Sequence, residues 1–478
     1  MKKSTFSEYQ KWLIGNLLFT FLFSLIIIYC SNSKSLWADE VFSLKLIDCN
    51  WETMIKVAKA DVHPPLYYFI LKIFISIFTR FGLDNIFIGK ITSYIPVLLI
   101  LVWLSDKVYK KSGRIVAILF NVCIIGMPNL LNYAVEIRGY SWAMFFVTAS
   151  FLYAGDIING KKEEKAWLLF TFFSILSAYV HYFACVAVVV IYFGILLFKK
   201  IDSKLLKRWC TSVLVACIAY IPWLNIFLKQ MGSVVDDFWI EEITAKSLYS
   251  YFRFLFEPPV GKFNLDIIIG VVLAAVYIIM VIISIIKLSE RRQNWELWGC
   301  VVLFLTVIIG IIVSMVIRPI FVSRYMIVAA GCFWLCFAWL IGRNREKNFI
   351  KILGLILIVL LSVIDIGQFI RWEEIRKDYY TDFITTINNI SDDDIVITDE
   401  EHMQGCLSYY LGKEVVNEKP LKIDKTIENI HENNKVIWFF YGERNKKIIE
   451  DLKEKYDIEF IGVHHLEYYT FEVAYIEK

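Results

Sequence analysis

The chain has 478 residues, of which 58% are hydrophobic and 20% charged, and its formal net charge is +3. With a mean hydropathy of +0.57, this composition excludes an ordinary soluble protein and predicts a polytopic α-helical membrane protein. A net charge this small does not indicate a nucleic-acid partner, and we expect none. The positions of the charges along the chain are more informative than their sum.

The first apolar segment, residues 12–30, follows Lys2, Lys3 and Lys11. A cleaved signal peptide is one alternative, but the segment is long for one and no Ala-x-Ala site follows it. A lipoprotein site at Cys30 is another, but Tyr29 is bulky where such a site needs a small residue. We therefore predict an uncleaved first transmembrane helix.

Apolar stretches of spanning length recur along the first 370 residues and predict about eleven transmembrane helices. They lie at about 12–30, 86–104, 115–131, 141–157, 166–180, 182–198, 210–228, 264–287, 295–317, 325–341 and 349–368.

Five loops between these stretches carry clusters of lysine and arginine. The clusters are Lys107, Lys110, Lys111 and Arg114; Lys161, Lys162 and Lys165; Lys199, Lys200, Lys204, Lys207 and Arg208; Lys287, Arg291 and Arg292; and Arg343, Arg345 and Lys347. With the N-terminus inside, all five loops are cytoplasmic, as the positive-inside rule requires. The sequence thus predicts a multi-pass protein of the plasma (cytoplasmic) membrane whose C-terminal part lies outside.

Two long loops are then expected on the outer side, at residues 31–85 and 229–263. Residues 64–79 are apolar enough to cross the membrane, but a crossing there would invert every later loop. We therefore predict an outer interfacial helix that begins at Pro64 and Pro65, where proline is well tolerated, and a shorter one at residues 48–59. The second loop, which carries Asp236, Asp237 and Trp239, is either a substrate cover or a solvated connector.

Composition changes after residue 371, which predicts a transmembrane domain at 1–371 and a small extracytoplasmic α/β domain at 372–478. Strands are expected at 394–399, 435–442, 458–464 and 469–475, and helices at 374–389, 401–411 and 445–456. His464 and His465 are a poor metal chelate because neighbours on one strand point to opposite faces. The 10 cysteines include no Cys-x-x-Cys, so we expect neither a structural disulfide nor a metal site on cysteine.

Several polar residues fall at the outer ends of the predicted helices. They are Asp39, Glu40, His63, Glu136, Arg138, Tyr140, His181, Tyr182, Arg324 and Tyr325. Each has a bland alternative: Arg324 can reach out to lipid phosphates, Glu136 and Arg138 can form an internal salt bridge, and His181 can be an ordinary interface histidine. Together such residues can bind an anionic lipid headgroup through arginine and deprotonate a hydroxyl through a carboxylate.

The order and spacing of five short motifs resemble the bacterial membrane glycosyltransferases of family 39, the protein-mannosyltransferase-like group with the GT-C fold. The motifs are Trp37-Ala38-Asp39-Glu40, the stretch from Asp61 to Tyr68, Glu136-Ile137-Arg138-Gly139-Tyr140, the stretch from Tyr179 to Phe183, and Ser323-Arg324-Tyr325. The resemblance covers roughly residues 10–370. The family's lipid A aminoarabinose transferases have Lys-Pro-Pro where this chain has His63-Pro64-Pro65, which argues against that substrate.

The resemblance implies an inverting transfer of a sugar from a polyprenyl-phosphate donor to a lipid, glycan or protein acceptor outside the membrane. It makes Asp39 the general base and Glu40 its support or an acceptor-orienting group. It puts Arg138 and Arg324 on the lipid phosphate, with His63 and Tyr325 near them. Supporting roles are expected for Glu136, Tyr140, His181 and Tyr182. No cofactor and no metal site are expected, although a divalent cation is possible.

Two other functions stay open at the level of the sequence. A transporter or flippase of a lipid-linked sugar would usually carry polar or broken helices at mid-membrane and often an inverted repeat. A lipid-linked glycan polymerase or ligase of another fold would also place arginines outside, but it would not need the early Asp39-Glu40 pair.

Overall fold

The computed structural model describes residues 6–233, 240–259, 263–287, 295–343, 349–418, 436–442 and 452–476. The helices of these residues are α1 (Glu8–Cys30), α2 (Ala38–Asp48), α3 (Trp51–Ala60), α4 (Leu66–Phe78), α5 (Asn85–Leu99), α6 (Ser105–Ser112), α7 (Arg114–Ile125), α8 (Leu130–Val135), α9 (Tyr140–Ile158), α10 (Glu163–Val180), α11 (Tyr182–Phe198), α12 (Ser203–Ser233), α13 (Ala245–Phe256), α14 (Phe263–Lys287), α15 (Trp298–Val316), α16 (Ile327–Gly342), α17 (Phe349–Ile387) and α18 (Glu401–Leu411). The strands are β1 (Ile395–Thr398), β2 (Val416–Asn417), β3 (Ile437–Gly442), β4 (Ile458–Leu466) and β5 (Tyr469–Ile476).

All eleven apolar segments that were predicted to cross the membrane form helices, namely α1, α5, α7, α9, α10, α11, α12, α14, α15, α16 and α17. Within the described residues, 8 helical stretches are long and apolar enough to span a bilayer. Helices α7 and α11 are apolar but shorter, and α10 begins with three charged residues. The protein is thus a multi-pass helical membrane protein, as its composition predicts, while the crossing of these three helices stays a prediction.

A proline interrupts α5, and a neighbouring helix compensates for it. Pro96 has no N–H, so the carbonyl of Thr92, four residues earlier, loses its helical partner. The indole nitrogen of Trp142 on α9 donates to that carbonyl at 3.1 Å. A π-helical turn, Ile100–Leu104, and α6 then continue the segment. An interrupted helix is tolerated in a membrane when neighbours pair the freed backbone group in this way.

Helices α9 and α16 form the interior of the helical part, since 94% of the spanning window of each is buried. A Cβ atom on Gly331 would lie 2.0 Å from Oγ1 of Thr148, so only glycine allows this close approach. Near their first residues, the rings of Tyr140 and Tyr325 lie 6.4 Å apart. The two helices therefore run side by side in the same direction and begin at the same end.

The sequence prediction was wrong about where the last spanning helix ends. We expected one helix at 349–368 and a second at 374–389, but α17 is one continuous helix of 39 residues. Its sequence contains no proline. The change from apolar to charged residues near Arg371 therefore alters the helix surface without stopping the helix, because polarity alone does not break the backbone hydrogen bonds.

Several short elements were missed, among them α2, α8, α13 and β2. Helix α2 lies within the predicted outer loop 31–85, and its start is marked by Glu40, whose carboxylate accepts the N–H of Trp37 at 3.3 Å. This is the glutamate half of a capping box, a signal that the sequence does contain. Helix α8 and strand β2 span six and two residues, which is too short for a periodic pattern.

The two predicted interfacial helices exist as α3 and α4, and their position relative to a bilayer stays a prediction. The loop 229–263 also contains α13. Asp236, Asp237 and Trp239 lie outside the described residues, as do Lys2, Lys3, Arg291, Arg292, Arg345, Lys347 and most of the helix expected at 445–456.

The C-terminal part forms a five-stranded mixed sheet in the order β2-β1-β3-β5-β4. Strand β1 pairs in parallel with β2 and β3, and β5 is antiparallel to β3 and β4. All six residues of β3 are buried, as its central place requires. A core of apolar side chains covers one face: Ile397, Ile437, Phe439, Tyr441, Leu452 and Ile476. The small C-terminal sheet that the predicted fold class includes is present.

The chain divides into two compact units. The first contains Met1–Ile28, Asn50–Gly82 and Ile88–Phe369, and the second contains Tyr29–Cys49, Leu83–Phe87 and Ile370–Lys478. The second unit thus joins the sheet to the segment that carries Asp39 and Glu40. The division at residue 371 stays a prediction.

Candidate active site

In the helical unit, a cluster of polar side chains forms around the connection between α3 and α4. The Nη2 atom of Arg138 lies 3.3 Å from Nδ1 and 3.2 Å from Nε2 of His63. The carboxylate of Asp61 lies 3.3 Å from Nδ1 of His63 and accepts the hydroxyl of Tyr68 at 2.9 Å. Nη1 of Arg138 donates to that hydroxyl at 3.4 Å. Two residues predicted for phosphate binding, His63 and Arg138, are therefore neighbours.

Local sequence explains how these side chains converge. Helix α3 ends at Ala60, and the rigid Pro64-Pro65 step starts α4. Tyr68 follows one turn into α4 and faces back toward Asp61. Arg138 stands in the short turn between α8 and α9, where its N–H donates to the carbonyl of Glu136 at 2.6 Å. Glu136 and Arg138 are both buried.

The electrostatics of this cluster favour an ionised Asp61. Burial alone would raise the pKa of its carboxyl, but His63 and then Arg138 outweigh burial and hold the pKa well below its usual range. The carboxylate thus offsets positive charge next to Arg138 and fixes the ring of His63. Asp61 and Tyr68 belong to a motif that the sequence analysis singled out, yet neither was predicted as a site residue.

His181 lies between α10 and α11 and serves as a helix cap. It ends α10 and caps α11, because its Nδ1 accepts the N–H of Phe183 at 3.2 Å. Burial lowers the pKa of His181 well below its usual range, and the neighbouring His63, Arg138 and Arg324 lower it further. His181 is therefore a neutral ring in the folded protein, with its proton on Nε2.

Aromatic rings join the starts of α9, α11 and α16. The ring of Tyr325 lies edge-on to His181 at 4.9 Å and stacks on Phe183 at 5.5 Å. Tyr140 lies 6.0 Å from His181. The guanidinium of Arg324 is 6.0 Å from the ring centroid of Tyr325. The predicted residues Tyr140, His181, Arg324 and Tyr325 thus form one contiguous group.

The charge of Arg324 reaches a further tyrosine. The pKa of Tyr133 is raised to about 12, chiefly by burial and also by Glu136, while the charge of Arg324 opposes this rise. Arg324 therefore acts on groups inside the protein.

A cavity of about 510 Å³ opens beside these residues. Its walls are mostly apolar, and polar side chains are confined to a few positions. The lining residues are Val62, His63, Pro64, His181, Tyr182, Phe183, Cys185, Val186, Val189, Tyr220, Phe227, Gln230, Met231, Ile309, Val313, Ile317, Arg318, Ile320 and Tyr325. Such a lining suits an apolar chain with a polar or charged end.

Tyr182 belongs to a hydrogen-bond network on one wall of this cavity. Its hydroxyl donates to Oε1 of Gln230 and accepts from the indole of Trp223 at 3.1 Å. Gln230 was missed by the sequence analysis. The available signal was an amide toward the end of a largely apolar spanning helix, since polar groups there are costly and usually have a purpose.

Asp39 and Glu40 lie in the first turn of α2, within the second unit. The carbonyl of Asp39 accepts the hydroxyl of Ser43 at 2.9 Å, and Glu40 is buried. Helix α18 packs on α2 in the same unit. The hydroxyl of Tyr410 donates to the carbonyl of Lys34 at 2.7 Å.

No group of three or more His, Cys, Asp or Glu with metal-binding geometry occurs in the residues that the structure describes. His464 instead pairs with Asp382, at 2.7 Å, and His465 contacts Thr470 at 3.0 Å. The absence of a required metal and the option of a divalent cation both stay predictions.

Two solved structures have the same fold over nearly the whole chain. A crystal structure of ArnT from Cupriavidus metallidurans in the apo state covers 96% of this chain and 98% of its own, with a TM-score of 0.61 at 9% sequence identity. A structure of the same protein bound to undecaprenyl phosphate covers 97% and 98%, with a TM-score of 0.60 at 10% identity. No protein-family model and no curated protein sequence matches the chain. The GT-C fold implied by the resemblance is thereby confirmed.

Proposed function

We propose, on the premise of a GT-C membrane fold, that the protein is an inverting glycosyltransferase that takes its sugar from a polyprenyl-phosphate donor. One observation carries the proposal: an apolar cavity of about 510 Å³ whose polar end holds His63, with Arg138 within 3.3 Å of that ring. An isoprenoid chain suits the apolar walls, and a phosphate suits the cationic end. The complex of ArnT with undecaprenyl phosphate supports the same class of ligand here.

In the proposed step the acceptor hydroxyl attacks the anomeric carbon of the donor sugar. A carbon–oxygen bond forms to the acceptor, and the bond between that carbon and the phosphate oxygen breaks. Asp39 takes the proton of the hydroxyl, and polyprenyl phosphate leaves with the electron pair of the broken bond. Glu40 orients the acceptor or supports Asp39. The acceptor is a lipid, a glycan or a protein on the extracytoplasmic side.

The leaving phosphate gains negative charge, so fixed positive groups near it lower the barrier. We assign this role to Arg138 and Arg324, with His63 and Tyr325 completing the phosphate end. Glu136 and Tyr140 support the two arginines. Because the arginines supply the charge, transfer is expected to persist in excess EDTA, and its loss there would require a divalent cation.

The decisive experiment is a transfer assay on the purified protein with a panel of radiolabelled polyprenyl-phosphate sugars, with Asp39→Asn and Asp48→Asn in parallel. Asp48 ends the same helix and serves as the matched control. We expect one donor to turn over, Asp39→Asn to lose transfer by at least about 10²-fold, and Asp48→Asn to retain it. Retained transfer in Asp39→Asn would contradict the assignment of the base.

The same labelled donors, supplied to the protein in proteoliposomes, separate the enzyme from a flippase. A flippase of a lipid-linked sugar would move labelled donor between the leaflets of a proteoliposome without releasing polyprenyl phosphate. Release of polyprenyl phosphate together with a labelled acceptor favours the transferase. Movement without release would favour the flippase.

A further inference from the structure

Gln230 stands out in α12 because it is a buried amide in a helix that is mostly exposed. Only 4% of the surface of Gln230 is accessible. Most of the helix is exposed, since only 11% of its spanning window is buried. A polar group in such a place costs free energy unless its hydrogen bonds are made. Gln230 also lines the cavity, beside Phe227 and Met231.

The hydrogen bonds of Gln230 connect three elements. Its Nε2 donates to the carbonyls of Ala58 at 3.2 Å and Lys59 at 3.3 Å, in the last turn of α3. Its Oε1 accepts the hydroxyl of Tyr182, the first residue of α11. The carbonyls at the end of a helix have no partner within it, so the amide satisfies groups that would otherwise need water.

The chain leaves α3 directly into the phosphate end of the cavity. Asp61 is two residues beyond Lys59, and His63 is four residues beyond it. The contacts with Arg138 and Tyr68 hold this connection from one side. Gln230 holds it from the other, through the end of α3.

We infer that Gln230 is a positioning residue: it fixes the end of α3 so that His63 stands at the place where a polyprenyl-phosphate headgroup binds. This inference rests on the proposed function. As a positioning residue, Gln230 does not itself touch the phosphate. It acts through His63, and its loss should weaken recognition of the phosphate but not of the isoprenoid chain.

The test uses the full-length protein in nanodiscs and two probes, undecaprenyl phosphate and undecaprenol. The measured quantity is the ratio of their dissociation constants, which isolates the contribution of the phosphate. Gln230→Met keeps the length of the side chain and removes its hydrogen bonds. We expect this variant to lower the phosphate preference about tenfold, because a displaced His63 would lose one hydrogen bond to the charged phosphate. Binding of undecaprenol should stay unchanged within about twofold.

Three further measurements make the test specific. Leu228→Met, on the exposed side of the same helix, should leave both affinities unchanged. In a His63→Ala background, Gln230→Met should have no further effect on the ratio, whereas an effect of the same size there would overturn the inference. If Gln230→Met does not fold, Gln230→Glu keeps the size and the acceptor for Tyr182 while losing both donors, and the same loss of preference is expected.

The outcomes also separate this inference from the function itself. A wild-type protein that binds both probes equally would reject the donor site, and the positioning role with it. A wild-type protein that prefers the phosphate, with an unchanged ratio in Gln230→Met, would reject only the role of Gln230.

Discussion

At the scale of single residues, the site combines groups whose charge states are set by their neighbours. Asp61 stays ionised between His63 and Arg138, and His181 stays neutral because burial and the neighbouring His63, Arg138 and Arg324 oppose its protonation. The candidate site therefore combines the guanidinium of Arg138, an ionised carboxylate and the uncharged ring of His181. Both residues were visible in the sequence as parts of motifs, but their protonation states depend on burial, which the sequence does not display.

The neutral state of His181 predicts how stability depends on pH. Its folded pKa is lower than the unfolded value of about 6.5, so the unfolded chain binds one more proton below that pH. Stability from this group is complete above about pH 6.5 and is lost as the pH falls, by about 1.4 kcal/mol per pH unit. In His181→Asn, which keeps a good helix cap, the melting temperature should depend less on pH between 5 and 8.

His402 provides the control for this experiment, since it is an exposed histidine at the start of α18. His402→Asn should leave the wild-type pH dependence intact. A pH profile of His181→Asn identical to the wild-type profile would contradict a neutral, buried His181.

Replacing Arg138 by lysine separates the effect of its charge from the effect of its contact geometry. Arg138→Lys keeps the positive charge, but it cannot reproduce the paired contacts with His63 and Tyr68. Losing the contacts of a charged group at a buried site costs about 2–3 kcal/mol, so transfer should fall about 30- to 150-fold. Steady-state rates across donor concentrations measure this, with Arg80→Lys, on an exposed residue, as control. Wild-type rates in Arg138→Lys would show that charge alone suffices.

At the scale of elements, the sequence predicted the apolar helices well because each one must pair its own backbone in a membrane, which gives a long and unambiguous signal. It failed where a change in polarity was taken for the end of a helix and where a capping box was overlooked. Helix α17 continues past its change in polarity, and α2 forms in a loop that was read as irregular. The contacts of Gln230 join α3, α11 and α12 across more than 170 residues of sequence, and no local pattern reports such a contact.

Helix α18 predicts a local effect on the segment that carries Asp39. Tyr410→Phe removes the hydrogen bond to the carbonyl of Lys34, which is worth about 1 kcal/mol. Residues 34–48 should then exchange their amide hydrogens faster in this variant, and its rate of transfer should fall as well. Tyr409→Phe, one residue earlier on the same helix, is the matched control. Unchanged exchange of residues 34–48 in Tyr410→Phe would show that this bond does not hold the segment.

At the scale of the whole molecule, the basic clusters and the candidate site lie at opposite ends of the same helices. Helix α9 begins at Tyr140, among the site residues, and near its other end Asp156 pairs with Lys107 from one of the basic clusters. Lys111 of the same cluster pairs with Glu296 at 3.0 Å. Nineteen residues of helix rise about 28 Å, close to the thickness of a bilayer core. If the basic clusters are inside, the site must be outside.

The predicted topology, with the basic turns inside and the C-terminal part outside, predicts the outcome of labelling with a membrane-impermeant maleimide. Position 402, at the start of α18, and position 161, in the basic turn between α9 and α10, are both exposed, so a cysteine at either is reactive once reagent reaches it. We expect His402→Cys to react in intact cells and Lys161→Cys to react only after the membrane is opened, because the positive-inside rule puts the basic turn in the cytoplasm. The wild-type protein measures the background from its own cysteines. The reverse pattern would place the cavity on the cytoplasmic side, where a polyprenyl-phosphate donor would meet different acceptors, and it would invalidate the extracytoplasmic reaction proposed for Asp39.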